Sequence, residues 1–380
     1  MRVLIDYRPA LRHRSGVGEY VHGLARGLIA RSPTGDGEPV RLTIFSSSWR
    51  DRLAGEVELD RARLVDAHIP VRVLNLLWHR LEWPPIELLT GERFDVVHSP
   101  HPLLLPTRDA AQVVTIHDLD FLTYPERTGA EIRRDYPRLA GPHARRADHV
   151  VVNSKFTAGE VERRLEIPRD KISVCTPGAP EWPPRSHPRP EGYLLFFGTL
   201  EPRKNVGRLL DAYERLLAGS GTEHLPDLVL AGRTTPAGQT WIERIGRPPL
   251  AGRVRHLGYI DPAGRRALYE GATLLVQPSL EEGFGLPVLE AMSVGVPVVA
   301  ANRGALPEVL GGAGLLIDPE DSASIAAAIA RLLTDEALAS SCASNGVLRA
   351  QQFTWRSGAD ALYNAYQLAI DHRRSACASA

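Results

Sequence analysis

The sequence predicts an α/β protein built from two Rossmann-like domains that face each other across a cleft. A length of 380 residues suggests two domains, each large enough for its own core. Short apolar runs alternate with helical patterns throughout, which is typical of parallel sheets covered by helices. Six prolines in residues 177–190 can neither continue a helix nor join a central strand. This stretch is therefore predicted to be a stiff linker that allows the cleft to open and close.

The strands are predicted from uninterrupted apolar runs, which suit strands covered on both faces. In the first domain, 1–176, these runs are 3–5, 42–45, 94–97, 113–116 and 149–152. In the second domain, 191–357, they are 193–197, 228–231, 254–257, 273–276, 297–300 and 315–317. A last helix at 358–372, within the C-terminal segment 358–380, is expected to cross back to the first domain. The tail from Arg373 is expected to be irregular.

Composition excludes several classes of protein. Hydrophobic residues make up 43% of the chain and charged residues 24%, the balance of a soluble globular protein. The formal net charge is zero, so no global electrostatic argument favours a nucleic-acid partner. Three widely spaced cysteines favour a reduced, cytoplasmic compartment. No run reaches the roughly 20 apolar residues of a membrane span or resembles a signal peptide. We expect a soluble protein, at most peripheral to the inner face of a membrane.

The first candidate site is the turn that holds Gly16 and Gly18, between the strand at 3–5 and a helix that opens near Glu19. A glycine turn at a helix N-terminus lets backbone N–H groups approach a phosphate. The next glycines, Gly23 and Gly27, have the wrong spacing for a dinucleotide fingerprint. An ordinary tight turn before a helix is the alternative.

The second candidate is His117, which follows the apolar run 113–116 directly. In open α/β sheets, ligands bind at the carboxyl ends of the strands, which is where this side chain emerges. A histidine there can donate to a sugar hydroxyl or a phosphate. A capping or packing role is the alternative.

The third candidate is the segment 198–205, GTLEPRKN, after the first strand of the second domain. Arg203 offers a fork of donors and Lys204 a point charge, a combination suited to the negative charge of a diphosphate. Gly198 shapes the start of the loop. A merely solvated loop is an equally good explanation of this segment on its own.

The most informative segment is EEGFGLPVLEAM, in which Glu282 lies in a glycine-rich turn and Glu290 in the helix that starts near Gly285. Backbone N–H groups at that helix start suit a phosphate or a sugar hydroxyl. Each carboxylate can accept hydrogen bonds from a diol. The neighbouring apolar residues, among them Phe284 and Leu286, imply a buried segment, where unpaired carboxylates are costly. Two solvated helix glutamates are therefore disfavoured.

This segment resembles the E-x7-E motif of glycosyltransferase family 4, the group 1 glycosyltransferases, which have the GT-B fold. Other stretches agree with the family in order and spacing, namely 16–20, 114–119, 152–157, 198–205, 278–279 and 304–309. The resemblance covers almost the whole chain. Each stretch is weak alone, but the set is specific.

The resemblance implies that the second domain binds a nucleotide-sugar donor and that the first mainly binds the acceptor. Arg203 and Lys204 would hold the donor diphosphate. Glu282 would contact the hydroxyls of the donor sugar, and Glu290 would contact the ribose. The family retains the anomeric configuration and needs neither a metal nor another cofactor, so a GDP- or UDP-linked sugar is the expected co-substrate.

The resemblance also assigns backbone groups and residues of the first domain. The N–H groups of Phe284, Gly285 and Leu286 would complete the sugar–phosphate pocket. Gly16 would let the first domain close on the phosphates, and His117 would reach the donor sugar. The EPRKN form of the cationic loop resembles mannosyltransferases of the family, which favours mannose among hexoses.

Three alternatives belong to other functional classes. A nucleotide-sugar epimerase with the same fold is the nearest of them. A nicotinamide-dependent oxidoreductase is disfavoured because the glycine fingerprint is incomplete. A non-catalytic binding module is disfavoured because the candidate site residues are all present.

The acceptor, a glycan, a lipid-linked glycan or a small molecule, is expected to bind near residues 65–106. This region contains Trp78, His79, Arg80 and Trp83, which could line an acceptor groove or touch a membrane surface. For the two tryptophans, burial in the core is the favoured alternative.

Overall fold

The computed structural model describes residues 1–11, 14, 16–31, 39–49, 51–53, 57–219 and 225–378. These residues fold into two compact units. The first unit contains Met1–Gly178 together with the chain from Phe353 onwards, and the second contains Ala179–Gln352. Each unit is an open parallel sheet covered by helices.

Within its described residues, the first unit has a sheet of seven parallel strands. They are Arg2–Asp6 (β1), Arg41–Ser46 (β2), Arg63–Asp66 (β3), Val96–Ser99 (β4), Ala111–Ile116 (β5), His149–Val152 (β6) and Ile172–Val174 (β7). Their order is β3-β2-β1-β4-β5-β6-β7. The five predicted strands are all present. The sequence did not indicate β3 and β7 because these edge strands are short and only partly buried.

The first unit's helices cover this sheet on both sides. They are Val17–Ala30 (α1), Val71–Leu81 (α2), Ile86–Thr90 (α3), Asp120–Thr123 (α4), Ala130–Arg146 (α5) and Lys155–Leu165 (α6). The Oγ of Ser154 accepts from the N–H of Thr157 and so caps α6.

The second unit repeats this arrangement. Its described strands are Tyr193–Phe197 (β8), Leu228–Ala231 (β9), Val254–Gly258 (β10), Ala272–Gln277 (β11), Val298–Ala301 (β12) and Leu315–Ile317 (β13), which correspond to the six predicted runs. They are parallel, in the order β10-β9-β8-β11-β12-β13. The helices are Val206–Ala218 (α7), Gln239–Ile245 (α8), Pro262–Glu270 (α9), Leu286–Ser293 (α10), Leu306–Leu310 (α11), Ser322–Thr334 (α12) and Glu336–Ala350 (α13).

The last helix, Trp355–Ala378 (α14), packs against the first unit, where its residues from Ala359 to Ala369 join the core that contains α1. Gly23 and Gly27, whose spacing did not fit a nucleotide-binding turn, allow this packing. A Cβ at Gly23 would lie 2.5 Å from the Trp355 ring, and a Cβ at Gly27 would lie 2.7 Å from the Cβ of Ala359.

Two expectations for the C-terminal segment were wrong. The helix begins at Trp355 rather than at residue 358, because the Thr354 side chain accepts from the Ser357 N–H and caps it. The helix also continues to Ala378, where the tail was expected to be irregular. Arginine and alanine, which favour helices, make up much of that end.

The proline-rich segment contains neither helix nor strand, but it packs against the second unit. From Ala179 onwards it belongs to the second unit. The Arg185 guanidinium donates to the carbonyl of Ala272 at 2.5 Å, and the Thr273 hydroxyl donates to the carbonyl of Arg189 at 2.7 Å. These contacts tie the second half of the predicted linker 177–190 to the amino end of β11.

The two strand orders fix where each unit can bind a ligand. The order reverses between β1 and β4 in the first unit and between β8 and β11 in the second. In open α/β sheets, the crevice outside the carboxyl ends of the strands at such a point is the usual ligand site. None of the described helices combines the length and apolar content needed to cross a bilayer.

Candidate active site

The loops after β8 and β11 bring a lysine and a glutamate together in the second unit. These strands are neighbours in the sheet, so their carboxyl ends lie side by side. The Nζ of Lys204 donates to the Oε1 of Glu282 at 2.5 Å, and both residues are buried. Lys204, the predicted diphosphate-binding cation, and Glu282, the first glutamate of the motif, therefore form one ion pair at the carboxyl ends of β8 and β11.

Two further polar side chains converge on the same carboxylate oxygen. The Ser279 hydroxyl donates to Glu282 Oε1 at 2.9 Å, and the Gln277 amide does so at 3.0 Å. Neither residue was assigned a role from sequence. The available signal was Gln277 itself, a polar residue at the end of the otherwise apolar strand β11. With three donors on one oxygen, the carboxylate is held in a single orientation.

Arg203 lies at the more exposed side of this cluster. Its Nε is 2.7 Å from the Oε1 of Glu201, and its Nη1 is 3.8 Å from the Oε2 of Glu282. The Arg203 carbonyl accepts from the N–H of Leu280 at 2.8 Å. The Asn205 amide donates to the carbonyl of Pro278 at 3.1 Å. These two bonds join the loop after β8 to the loop after β11.

The electrostatics of the pair follow from burial and charge. Burial would raise the pKa of the Glu282 carboxyl, but Lys204 and Arg203 outweigh it and hold that pKa below its ordinary value. Burial lowers the pKa of the Lys204 ammonium, and the charge of Glu282 opposes this shift. Glu282 is therefore ionised at neutral pH and paired with a buried cation.

Gly198 opens the cationic loop directly after β8. Its N–H donates to the carbonyl of Ala231 at 2.8 Å. A Cβ built on Gly198 would lie 3.8 Å from the Cε of Lys204, in ordinary van der Waals contact. Gly198 thus lies beside the aliphatic stem of Lys204, at the start of the loop.

The glycine-rich turn leads into α10 through Gly285, which has a φ of 106° and caps the helix. A side chain is strained in this conformation, so the turn requires glycine here. Phe284 is buried, while Leu286 begins the helix half-buried. At the start of α10, Pro287 has no N–H and the Val288 N–H donates to the Gly285 carbonyl at 3.0 Å, so only the N–H groups that precede Pro287 suit an anion here. The carbonyl of Glu282 accepts from Ala305, which ties the turn to α11.

The second glutamate of the motif has a different set of partners. Glu290 is buried on α10, and its Oε2 accepts from the Tyr269 hydroxyl at 2.7 Å. The Nη1 of Arg265 donates to its Oε1 at 3.2 Å. Both partners come from α9. The structure therefore brings Lys204, Arg203 and Glu282 together and links Glu290 to a neighbouring helix.

In the first unit, His117 follows β5 and meets the first turns of α1. Its ring packs edge-on against Tyr20, with centroids 5.1 Å apart, and its Nε2 lies 3.1 Å from the carbonyl of Pro100. Burial lowers the pKa of this imidazole. The carbonyl of Gly16 accepts the N–H of Tyr20 at 3.0 Å, and Gly18 is buried in the first turn. The glycine turn and His117 are thus neighbours in the first unit.

A charged cluster that sequence reasoning missed lies at the carboxyl ends of β1 and β4. The buried Asp6 carboxylate accepts bidentate bonds from the Arg8 guanidinium, at 2.6 Å to Oδ2 and 2.9 Å to Oδ1. The Nε2 of His101 lies 3.3 Å from Asp6 Oδ2. Burial would raise the pKa of Asp6, but Arg8 and His101 hold it well below its ordinary value. The signal was the sequence Asp6-Tyr7-Arg8 directly after the first apolar run.

The tryptophans of the predicted acceptor region have opposite environments. Trp78 is buried against Phe45 and donates its Nε1 hydrogen to the carbonyl of Pro84 at 2.9 Å. Trp83 is 57% exposed. Core packing is therefore confirmed for Trp78 and wrong for Trp83.

Comparison with known proteins identifies the family of this chain. Residues 14–181 match the family described as "Glycosyltransferase Family 4", and residues 191–335 match "Glycosyl transferases group 1". The O-antigen chain mannosyltransferase B of Escherichia coli is 35% identical over 286 residues, which cover 72% of this chain and 74% of that protein.

Solved structures share the architecture at lower identity. Sucrose-phosphate synthase from Thermosynechococcus elongatus superposes with a TM-score of 0.76 at 21% identity, covering 97% of this chain and 98% of the other. Anabaena HepE, in complex with UDP and glucose, gives 0.67 at 19% identity, covering 95% and 97%. At this level of identity these structures support the fold.

Two parallel-sheet Rossmann-like units define a protein of the GT-B fold, and the two family matches together with the 35% identical relative make it a glycosyltransferase. The chain belongs to glycosyltransferase family 4.

Proposed function

We propose that this glycosyltransferase moves mannose from a nucleotide-diphosphate donor to a glycan or lipid-linked acceptor, with retention of configuration and without a metal. The observation that carries the proposal is the buried Lys204–Glu282 pair with Arg203 beside it. A pair of cations and an oriented carboxylate at the carboxyl ends of β8 and β11 suits a sugar diphosphate.

In the proposed reaction, the bond between the anomeric carbon and the diphosphate oxygen breaks as the acceptor oxygen bonds to that carbon. The departing phosphate takes the acceptor's proton on the same face of the sugar. Arg203 and Lys204 stabilise the negative charge that develops on the leaving diphosphate. The N–H groups of Phe284, Gly285 and Leu286, which precede Pro287, are proposed to add to this stabilisation.

Glu282 is proposed to orient the donor sugar. Its Oε1 is occupied by Lys204, Ser279 and Gln277, while Oε2 faces Arg203 at 3.8 Å. A sugar hydroxyl that donates to this carboxylate would be positioned next to the diphosphate. Glu290 is proposed to accept from the ribose, in a position set by Tyr269 and Arg265.

The sugar and the acceptor class are supported by similarity. The Escherichia coli relative is described as an O-antigen chain mannosyltransferase, which favours mannose and a growing polysaccharide. The HepE structure holds UDP and glucose, which favours a nucleotide donor in general. We propose GDP-mannose as the first donor to test and UDP-hexoses as its competitors.

The decisive experiment incubates the purified protein with a panel of GDP- and UDP-linked sugars, with and without a lipid-linked glycan acceptor. We expect nucleoside diphosphate release only when GDP-mannose and acceptor are both present, with an α-linked product in the NMR spectrum. A β-linked product would exclude retention. Conversion of the donor to an isomer without acceptor would identify an epimerase, and binding without release would identify a non-catalytic protein.

A further inference from the structure

Gln277 is a polar side chain at the end of a buried strand. It ends β11, directly after the apolar run 274–276, and its side chain is fully buried. Its Nε2 group donates to the Oγ of Ser279 at 3.1 Å and to the Oε1 of Glu282 at 3.0 Å. The two hydrogens of this amide are therefore directed at the Glu282 carboxylate and at another donor to that carboxylate.

The carbonyl end of the same amide is not satisfied. Among the described residues, none donates a hydrogen bond to the Oε1 of Gln277, although this atom is buried. The reverse orientation of the amide would place this oxygen against the carboxylate oxygen of Glu282, where the two would repel. A buried carbonyl without a donor destabilises the folded state, and an apolar side chain at this position would avoid that effect. Stability alone therefore does not explain a glutamine here.

The hydrogen bonds to Glu282 are distributed unevenly over its two oxygens. Lys204, Ser279 and Gln277 all donate to Oε1, at 2.5, 2.9 and 3.0 Å. The other oxygen, Oε2, has the Nη1 of Arg203 at 3.8 Å, which is too far for a hydrogen bond. Among the described residues, the hydrogen bonds to this carboxylate thus fall on one oxygen. Oε2 keeps its capacity to accept a hydrogen bond from a ligand.

The three donors differ in how strongly they restrict the carboxylate. The ammonium of Lys204 has three equivalent donors on a flexible stem, and the hydroxyl of Ser279 rotates about its own bond. The amide of Gln277 is planar, and its two hydrogens bond Ser279 and Glu282 at the same time. The amide therefore gives the carboxylate a direction that the ammonium alone does not.

We propose that Gln277 is a positioning residue for sugar transfer, which holds the Oε1 of Glu282 so that Oε2 is presented to one hydroxyl of the donor sugar. This inference rests on the proposed function of Glu282, and it adds a residue that acts on the sugar without touching it. The group selected in this way is a hydroxyl that donates a hydrogen bond, because an ionised carboxylate accepts and does not donate.

The first test measures binding to the full-length protein by calorimetry, with GDP and GDP-mannose as the probes. Gln277→Met removes the amide while nearly keeping the volume of the side chain. We expect the dissociation constant of GDP to stay within about twofold and that of GDP-mannose to rise about tenfold, because a hydrogen bond to a charged group loses its geometry. UDP and UDP-glucose replace these probes if the donor panel selects uridine.

The matched control is Gln112→Met in the first unit. Gln112 is a half-buried glutamine of β5 whose amide donates to the carbonyl of Leu105 at 2.8 Å. This variant also removes an amide from a strand, at a distance from the Glu282 carboxylate in the sequence and in a different sheet. Both dissociation constants should be the same as in the wild type.

The second test uses monodeoxy analogues of GDP-mannose to identify the hydroxyl. One analogue should bind to the wild type about tenfold more weakly than GDP-mannose does, because it lacks the hydrogen that Oε2 accepts. In Gln277→Met, this analogue and GDP-mannose should bind almost equally. Such a cycle measures the coupling between Gln277 and a single hydroxyl, and a general loss of stability does not produce that coupling.

A third measurement needs no donor. Gln277→Glu places a second carboxyl group where 3.0 Å now separates Nε2 from the Oε1 of Glu282. Lys204 and Arg203, the latter paired with Glu201, are the cations beside this site. Two carboxyl groups this close share a proton, so one of the two pKa values is raised in the folded state. The stability that the shared proton provides is present at low pH and is lost as pH rises through the raised pKa.

We therefore expect the Tm of Gln277→Glu, relative to the wild type, to fall by several degrees between about pH 5 and pH 8. The Tm difference between Gln277→Met and the wild type should stay constant over the same range. A Tm difference for Gln277→Glu that does not depend on pH would overturn the inference, because the side chain would then not face Glu282.

Two binding results would also overturn the inference. Equal weakening of GDP and GDP-mannose by Gln277→Met would show that the amide does not act on the sugar. Equal losses for every monodeoxy analogue in the wild type and in Gln277→Met would show that no hydroxyl is oriented through it. The proposed function fails separately, if the wild type releases no nucleoside diphosphate from any donor with an acceptor present.

Discussion

Glu282 and Glu290 belong to one motif and are separated by seven residues, yet their carboxylates meet different kinds of partner. Glu282 lies in a turn and bonds to a buried ammonium from the loop after β8, a hydroxyl from the loop after β11 and an amide at the end of β11. Glu290 lies within α10 and bonds to a phenol and a guanidinium from α9. The difference shows that Glu282 belongs to the candidate site at the carboxyl ends of β8 and β11. Glu290 contributes to the packing of α10 against α9.

The largest effect is expected from Lys204→Met, which removes the ammonium bonded to Glu282 and leaves the buried carboxylate with only Arg203, 3.8 Å away, as a neighbouring cation. The free energy of unfolding should fall by about 3–5 kcal/mol in urea titrations, and activity should be lost. The double variant Lys204→Met/Glu282→Gln should recover much of the stability without recovering activity. If the single variant is as stable as the wild type, the pair is not buried as described.

Glu282→Gln preserves the shape of the side chain and its bonds from Ser279 while removing the charge. Because Glu282 is proposed to orient the reacting sugar, kcat should fall by about 100-fold with little change in the dissociation constant of the nucleoside diphosphate. Steady-state kinetics and calorimetry separate the two quantities. A change confined to KM would remove Glu282 from the chemical step.

Glu290→Ala tests the other side of the comparison. If this carboxylate binds the ribose, the dissociation constant of the nucleoside diphosphate should rise by an amount equivalent to about 1–3 kcal/mol, with a smaller effect on kcat. Tyr269→Phe removes one of the groups that hold Glu290 and should weaken nucleotide binding less. If both variants lower Tm but leave nucleotide binding intact, Glu290 serves only to join α10 to α9.

A smaller effect is expected at Gly16, in the first unit. Gly16 and Gly91 both have positive φ, at 44° and 72°, and a Cβ would meet nothing within 4 Å at either position. Gly16→Ala and Gly91→Ala should therefore both destabilise through backbone strain, by about 1 kcal/mol or more. We expect only Gly16→Ala to lower turnover. Equal turnover in the two variants would show that the Gly16 turn has no role in the reaction.

The smallest effect is expected from metal removal. If the cations beside Glu282 stabilise the leaving diphosphate, activity in excess chelator should stay within a few-fold of the untreated enzyme. The sequence does contain Asp118-Leu119-Asp120 after β5, where the Oδ1 of Asp118 accepts from the Asp120 N–H at 3.2 Å. If chelator abolishes activity and Mn²⁺ restores it, Lys204 and Arg203 do not suffice to stabilise the diphosphate, and Asp118 and Asp120 become the candidate metal ligands.

The sequence predicted most of the fold because apolar runs covered on both faces are a strong local signal. It missed β3 and β7, which lie at sheet edges and lack such runs. It also singled out Lys204, Arg203 and Glu282, which stand in recognisable loops and which the structure brings together, but it assigned no role to Ser279 or Gln277. It did not predict the partners of Glu290 or the Asp6–Arg8–His101 cluster. Apart from the local Asp6–Arg8 pair, these contacts join residues that are 21 or more positions apart, and no local pattern reveals which distant side chains meet.

The return of the chain to its first unit has a consequence for biosynthesis. Tyr366 on α14 is buried and its hydroxyl lies 2.8 Å from the Nδ1 of His98 on β4, so the core around β4 stays incomplete until the last segment has been made. During synthesis the middle of the chain can mature before its beginning, which reverses the usual vectorial order. A released chain that is truncated after Gln352 should thus carry a protease-resistant second unit and a protease-sensitive first one.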